Sequence, residues 1–169
     1  MQKNTLKYVR AGIIGALYVV LSLITLPIAS GAIQLRVAEG LTLLPLIFPE
    51  AIPALFIGCL LFNFISALPI YDVLLGSLIT LVSAVFTYFI GKLIKNKFLK
   101  VFVGGLFPVL LNAIFLPIIW LAFTGELSYV YWLSVLFLFI GQSLSVYTVG
   151  TATYVTIDRL REKKVKFLE

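Results

Sequence analysis

The chain contains no histidine and a single cysteine, Cys59. Those two absences remove much chemistry. No disulfide closes within the chain, and the usual Cys/His metal sites cannot be assembled. A histidine-based catalytic triad is likewise excluded. The pattern GxxxxGK[ST] does not occur, so the chain has no P-loop with which to hydrolyse ATP. Charge is also scarce. Only 12% of the 169 residues are charged and 62% are hydrophobic, whereas a soluble domain has about 25% charged residues. Ten-residue blocks of alternating polarity, which would mark a membrane barrel, are missing too. Backbone groups in lipid must then be satisfied inside helices. These limits imply an all-α, multi-pass membrane protein. With no linker, low-complexity segment or repeat, residues 1–169 read as one domain.

The net charge of +6 resides almost wholly in three clusters. They are Lys3/Lys7/Arg10, Lys92/Lys95/Lys97/Lys100 and Arg159/Arg161/Lys163/Lys164/Lys166. Each adjoins an apolar run, so the positive-inside rule accounts for them better than nucleic-acid binding does. If all three are cytoplasmic, an even number of crossings separates each pair. Ala11–Ile28 is long enough to span. Its basic start and Ala29-Ser30-Gly31 also resemble a signal peptide, but the rest of the chain is itself membrane-like, which favours a span. Further spans are expected over Tyr71–Ile90, Val101–Phe123 and Tyr129–Ile157, with Thr124-Gly125-Glu126 as an outer turn. The region between holds Pro45, Pro49 and Pro53, which break a single helix. Two short helices, Val37–Phe48 and Ala51–Ile65, joined at Pro49-Glu50, complete six transmembrane helices with both termini inside. A helix of about twelve residues reaches only ~18 Å against a core of ~30 Å. Residues 29–36 are therefore expected to descend as a loop buried by protein.

Arg36 is the one Lys or Arg outside the clusters, and it lies three residues before Glu39 at the head of that broken segment. Ionisable groups inside a membrane are costly and mark functional sites. Counting along the spans brings other polar residues to similar depth. Asn112 lies about 18 Å above the inner face, Asn63 about 20 Å and Gln142 about 25 Å. Asp72 opens its span from the outer side. Arg36, Glu39, Asn63, Asp72, Asn112 and Gln142 thus fall in the outer half of the membrane, from separate segments. Each has a plainer reading. Asn and Gln bridge helices, Arg36 and Glu39 can pair at i, i+3 spacing, and Asp72 can cap a helix. Their joint occurrence favours a small-molecule pocket open to the outside.

Carboxylates accept hydrogen bonds, whereas Asn and Gln both donate and accept. That mixture suits a heterocycle with an amide edge and an exocyclic amine. Glu39 is the candidate to accept adjacent N–H donors of a guanine-like edge. Arg36 would orient Glu39 or meet a ring acceptor, and Asp72 would take an additional amine. Tyr71, Trp120, Tyr129, Tyr131 and Trp132 are either stacking partners or an interfacial aromatic belt. Ala11, Gly12, Gly15 and Ala16 form a small-residue face on the first helix, for an internal neighbour or another protein.

Five blocks, RAGIIGALYVVLSL (10–23), IQLRVAEGLTLLP (33–45), AIPALFIGCLLFN (51–63), DVLLGSLITL (72–81) and FPVLLNA (107–113), resemble the queuosine-precursor transporter family (QueT) in collinear order. Members are substrate-binding S components of energy-coupling factor (ECF) transporters. The resemblance implies the six-helix S-component fold in a prokaryotic plasma membrane. It implies a complex with a transmembrane coupling subunit, which Ala11 and Gly15 would contact, and two cytoplasmic ATPases. It implies no enzymatic activity, no cofactor and no metal in this chain. The implied ligand is queuine or a related 7-deazaguanine such as 7-aminomethyl-7-deazaguanine. Where an acidic residue is expected after the glycine of the sixth helix, this chain has Gln142 after Gly141. An S component for another vitamin, such as riboflavin or thiamin, and a membrane-embedded enzyme using carboxylates are the rival readings.

Overall fold

A computed structural model describes residues 3–29, 34–124 and 128–163. Helix α1 (Lys3–Ile24) is followed by a single turn, α2 (Leu26–Ala29), and then by a 3-10 helix (Val37–Leu46). Next come α3 (Ala51–Ile65), a π segment (Asp72–Gly76) running into α4 (Ser77–Leu93), and α5 (Lys97–Thr124). Helix α6 (Ser128–Leu144) continues through a second π segment (Ser145–Gly150) into α7 (Thr151–Glu162). Among the described residues, four helices are long and apolar enough to cross a membrane: Asn4–Ile24, Asp72–Leu93, Lys97–Phe123 and Tyr131–Glu162. Two apolar helices, Val37–Leu46 and Ala51–Ile65, are shorter. Gly125 and Glu126 of the outer turn and residues 30–33 of the descent lie outside the described residues, as do Lys164 and Lys166 and the side chains of Lys3 and Tyr129.

Polarity is distributed as lipid demands. The outward faces carry Ile13, Leu17, Val82, Phe86, Leu136 and Phe139 in the open, while Ser77, Thr80, Ser83, Thr87 and Gln142 are buried. In lipid an exposed apolar face costs nothing, and the hydroxyls of Ser77, Thr80, Ser83 and Thr87 have backbone partners. Ser77 and Ser83 donate to carbonyls one turn earlier, at 2.6 and 2.8 Å. Thr87 reaches across to the Gly104 carbonyl at 3.0 Å. That carbonyl is available because its helical partner would be the N–H of residue 108, which is Pro108.

The short segment expected as an ordinary helix over Val37–Phe48 is instead a 3-10 helix ending at Leu46, and all of its residues after Val37 are buried. Such helices seldom exceed four residues. Here the neighbours select the tighter coil. A Cβ on Gly91 of α4 would sit 2.9 Å from the Leu46 carbonyl oxygen, and one on Gly104 of α5 would sit 2.9 Å from Leu46 Cδ2. One on Gly150 would sit 2.8 Å from the Gly40 carbonyl oxygen. Glycines on three elements therefore cut grooves into which the slender helix fits. At about 2.0 Å per residue, it also reaches further than an α-helix of equal length, ~20 Å rather than ~15 Å.

At the basic end of α1, Arg10 is buried and pairs with Glu50 at 2.7 Å. Its guanidinium lies over the Phe48 ring at 4.7 Å, with that of Arg161 at 5.8 Å from the same ring. This contact ties α1, the Pro49-Glu50 turn and α7 together. Removing one member of a buried pair typically costs about 3–5 kcal/mol, because the other charge is stranded. Arg10→Ala is therefore expected to lower the unfolding midpoint of the purified protein in thermal denaturation. Arg10→Met combined with Glu50→Gln should recover most of the loss, whereas equal midpoints for wild type and Arg10→Ala would mean the pair contributes nothing.

Candidate functional site

The 3-10 helix carries Glu39 in its first turn, and the surrounding helices leave the side chain 1% exposed. Each carboxylate oxygen has one donor. The Tyr18 hydroxyl on α1 donates to Oε1 at 2.7 Å, and Asn112 Nδ2 on α5 donates to Oε2 at 3.3 Å. A carboxylate offers about four lone-pair positions, so acceptor capacity remains. Three segments far apart in sequence thus meet on one buried acid.

A second group adjoins it through Cys59. Asn63 Nδ2 lies 3.6 Å from Cys59 Sγ and donates to the Asp72 carbonyl at 3.2 Å, while Thr80 Oγ1 lies 3.4 Å from the same sulfur. Tyr18 and Cys59 belong to one buried cluster, which links this group to Glu39. Asn63 Oδ1 is buried and has no hydrogen-bond partner. Trp120 Nε1 donates to Asp72 Oδ1 at 3.0 Å. The site's geometry follows from its irregular segments: Glu39 lies on the 3-10 helix and Asp72 starts a π segment. Such segments are frequent at functional sites because they re-aim side chains that a regular helix would direct elsewhere.

Arg36 is half-buried and its charge acts on Glu39, Tyr18, Cys59 and Asp72. It forms no ion pair with Glu39 among the described residues; the carboxylate's donors are Tyr18 and Asn112. Gln142 is fully buried, and neither its Nε2 nor its Oε1 has a hydrogen-bond partner. Its level follows from the α5–α6 seam. Leu138 packs with Ala113 and Leu116, while Val146 packs with Val109 and near Gly105. Gln142 is midway between Leu138 and Val146, hence level with Asn112.

The structure therefore joins Glu39 to Asn112 directly, Asn63 to Asp72 directly, Arg36 to both carboxylates through its field, and Gln142 to Asn112 by level alone. Among the aromatics, Trp120 is engaged as a donor and Tyr71 stacks on Phe123 with centroids 4.1 Å apart. Trp132 is exposed and meets Tyr131 edge-on at 5.0 Å, as a surface belt would. Of the small-residue face, Ala11 packs against the core and Gly15 against α3, where an added Cβ would lie 3.2 Å from the Ala54 carbonyl oxygen. Gly12 and Ala16 point outward.

Tyr18, Thr80 and Ser145 were not singled out by the sequence. For Tyr18 a signal exists: Arg10, Ile14, Tyr18 and Ser22 recur every four residues and form one buried face of α1. No group of three His, Cys, Asp or Glu able to hold a metal occurs among the described residues. A separate cleft of about 650 Å³ opens between α5 and α7, lined by Lys97, Phe102, Tyr147, Tyr154 and Asp158 among others. Its lining on α5, from Lys97 to Phe102, lies about 15–22 Å along the helix from Asn112, and Lys97 there bridges Asp158 and Glu162 at 2.7 and 2.6 Å.

No curated protein and no solved structure matches the chain. A family model described as QueT transporter matches residues 8–159.

Proposed function

We propose, because the chain belongs to the QueT transporter family, that this membrane transport protein is the substrate-binding S component of an ECF-type importer of queuosine precursors. The ligand is queuine or a related 7-deazaguanine. In this reading the two shorter helices also traverse the bilayer, making six crossings with both termini in the cytoplasm of a prokaryotic cell. Glu39 accepts from the N–H pair of the base, Arg36 holds Glu39 or meets a ring acceptor, and Asp72 lies near the exocyclic substituent. Asn63, Asn112 and Gln142 satisfy the remaining polar atoms.

The observation that carries the reading is Glu39. A carboxylate buried in apolar sequence and shared by α1, the 3-10 helix and α5 is expensive as a structural device alone. It becomes economical when a ligand with paired donors completes its hydrogen bonding. With no P-loop the chain cannot hydrolyse ATP by that means, so the energy for uphill uptake comes from partners or from an ion gradient, and the S-component reading takes the first. A transmembrane coupling subunit and two cytoplasmic ATPases supply it. Ala11 contributes to the coupling face together with the outward Gly12 and Ala16, while Gly15 contributes by seating α1 on α3. Transport follows from tilting of the whole subunit against that partner.

Binding to the purified protein tests the assignment. Queuine and 7-aminomethyl-7-deazaguanine should each raise the unfolding midpoint and bind more tightly than guanine. Neither riboflavin nor thiamin should compete. Tighter binding of either vitamin than of queuine would overturn the ligand, and conversion of the ligand during incubation would overturn the transport role in favour of an enzyme.

A further inference from the structure

Polar atoms buried without partners are rare in native proteins, because each forfeits its bonds to water. Three such atoms occur within one turn where α6 meets the second π segment: Gln142 Nε2, Gln142 Oε1 and Ser145 Oγ. The two residues are three apart and so share a helix face, and they are 0% and 1% exposed. The fourth atom relevant here is Asn63 Oδ1, beside Asp72.

The two unspent sets differ in kind. Toward Asp72 the free capacity is acceptor only, from the Asn63 carbonyl oxygen and the carboxylate. Toward Gln142 it is mixed, with an amide donor and acceptor side by side and a hydroxyl that does either. An amide matches an edge where a ring N–H adjoins a ring acceptor, through two parallel hydrogen bonds. A carboxylate in its place would only accept.

We propose that Gln142 and Ser145 bind an uncharged donor–acceptor edge of the ligand, and that the ligand's amine-bearing substituent consequently lies toward Asp72 and Asn63. This assignment rests on the transporter reading above and fixes the orientation of the ligand within that site. The unpaired amide is a cost carried by the empty protein and removed on binding. A site built this way rejects analogues lacking the matching groups more strongly than an apolar wall does.

Calorimetric titration of the full-length protein in nanodiscs tests the proposal, using 7-deazaguanine and its 7-aminomethyl derivative as probes. Thermal denaturation of the empty protein accompanies it. Gln142→Leu should fold with an unfolding midpoint equal to or above wild type, because it removes two unsatisfied atoms. It should weaken both probes together by ~10- to 100-fold. Ser145→Ala should weaken both by about 3- to 10-fold. Gln142→Glu, which loses the donor, should weaken both without favouring the cationic probe. A lowered midpoint or unfolded protein for Gln142→Leu would overturn the proposal, as would unchanged affinities. Selective tightening of the aminomethyl probe by Gln142→Glu would also overturn it, by placing Gln142 against the substituent. Failure of the wild type to bind either probe would refute the deazaguanine assignment on which the proposal rests, and is distinct from any of these variant results.

Discussion

Replacing Glu39 by glutamine is expected to weaken deazaguanine binding by about 100-fold, roughly 3 kcal/mol. The carboxylate already accepts from Tyr18 and Asn112, one donor on each oxygen. A ligand offering two N–H groups would use the remaining lone pairs, and hydrogen bonds to a charged acceptor contribute about 1.5–3 kcal/mol each. Glutamine preserves the shape and one acceptor. It turns the other oxygen into a donor, whose hydrogen bond the Tyr18 hydroxyl can accept, but it removes the charge and one of the two acceptors offered to the ligand's N–H pair. Thermal-shift titration with queuine checks this. If Glu39→Gln keeps the wild-type ligand-induced shift, the base edge is not read at Glu39.

The second large effect concerns folding. Gly150→Val should yield little or no folded protein. A Cβ there would approach the Gly40 carbonyl oxygen to 2.8 Å and Leu43 Cδ1 to 3.0 Å. The first of these is backbone and cannot rotate away. Overpacking of a tight core typically costs about 1–3 kcal/mol, occasionally more, and this clash drives the second π segment off the helix that carries Glu39. Gly12→Ala supplies the contrast. Nothing lies within 4 Å of a Cβ at that position, and alanine is favoured over glycine in a helix by about 1 kcal/mol. Its midpoint in the isolated protein should equal or slightly exceed wild type. Size-exclusion profiles and midpoints of the two variants decide the matter, and a well-folded Gly150→Val would show that the crossing is looser than its geometry implies.

Much of the helical plan was legible because membrane spans announce themselves by length and by flanking charge. Ala51–Ile65 was read to the residue, and the spans before and after the Lys92–Lys100 cluster differ from the reading only at their ends. The 3-10 form of Val37–Leu46 was not legible. It depends on three glycines distant in sequence, Gly91, Gly104 and Gly150, whose meeting point only the packed structure reveals. The π segments were hidden for a similar reason: one extra residue per turn leaves no mark in an apolar run.

Depth counting picked out acids and amides as candidates, since those residues are scarce in apolar spans and stand out. It missed Tyr18, whose ring passes as an apolar residue until the position of its hydroxyl is known. It also left open whether Arg36 pairs with Glu39. In the structure Glu39 is partnered by Tyr18 and Asn112, two donors from other segments that the i, i+3 spacing does not display. Arg10 read as one more surface cation in a basic cluster, yet it is buried against Glu50 and Phe48. Spacing gives depth along a helix, whereas partnership across helices depends on how faces are turned.

A structure of the protein with a bound 7-deazaguanine addresses the central claim most directly. The account predicts ring N–H groups within hydrogen-bonding distance of the Glu39 carboxylate, with the amide of Gln142 newly paired. Electron density for the ligand in the α5–α7 cleft beside Lys97 and Asp158, with Glu39 still bonded only to Tyr18 and Asn112, would contradict it.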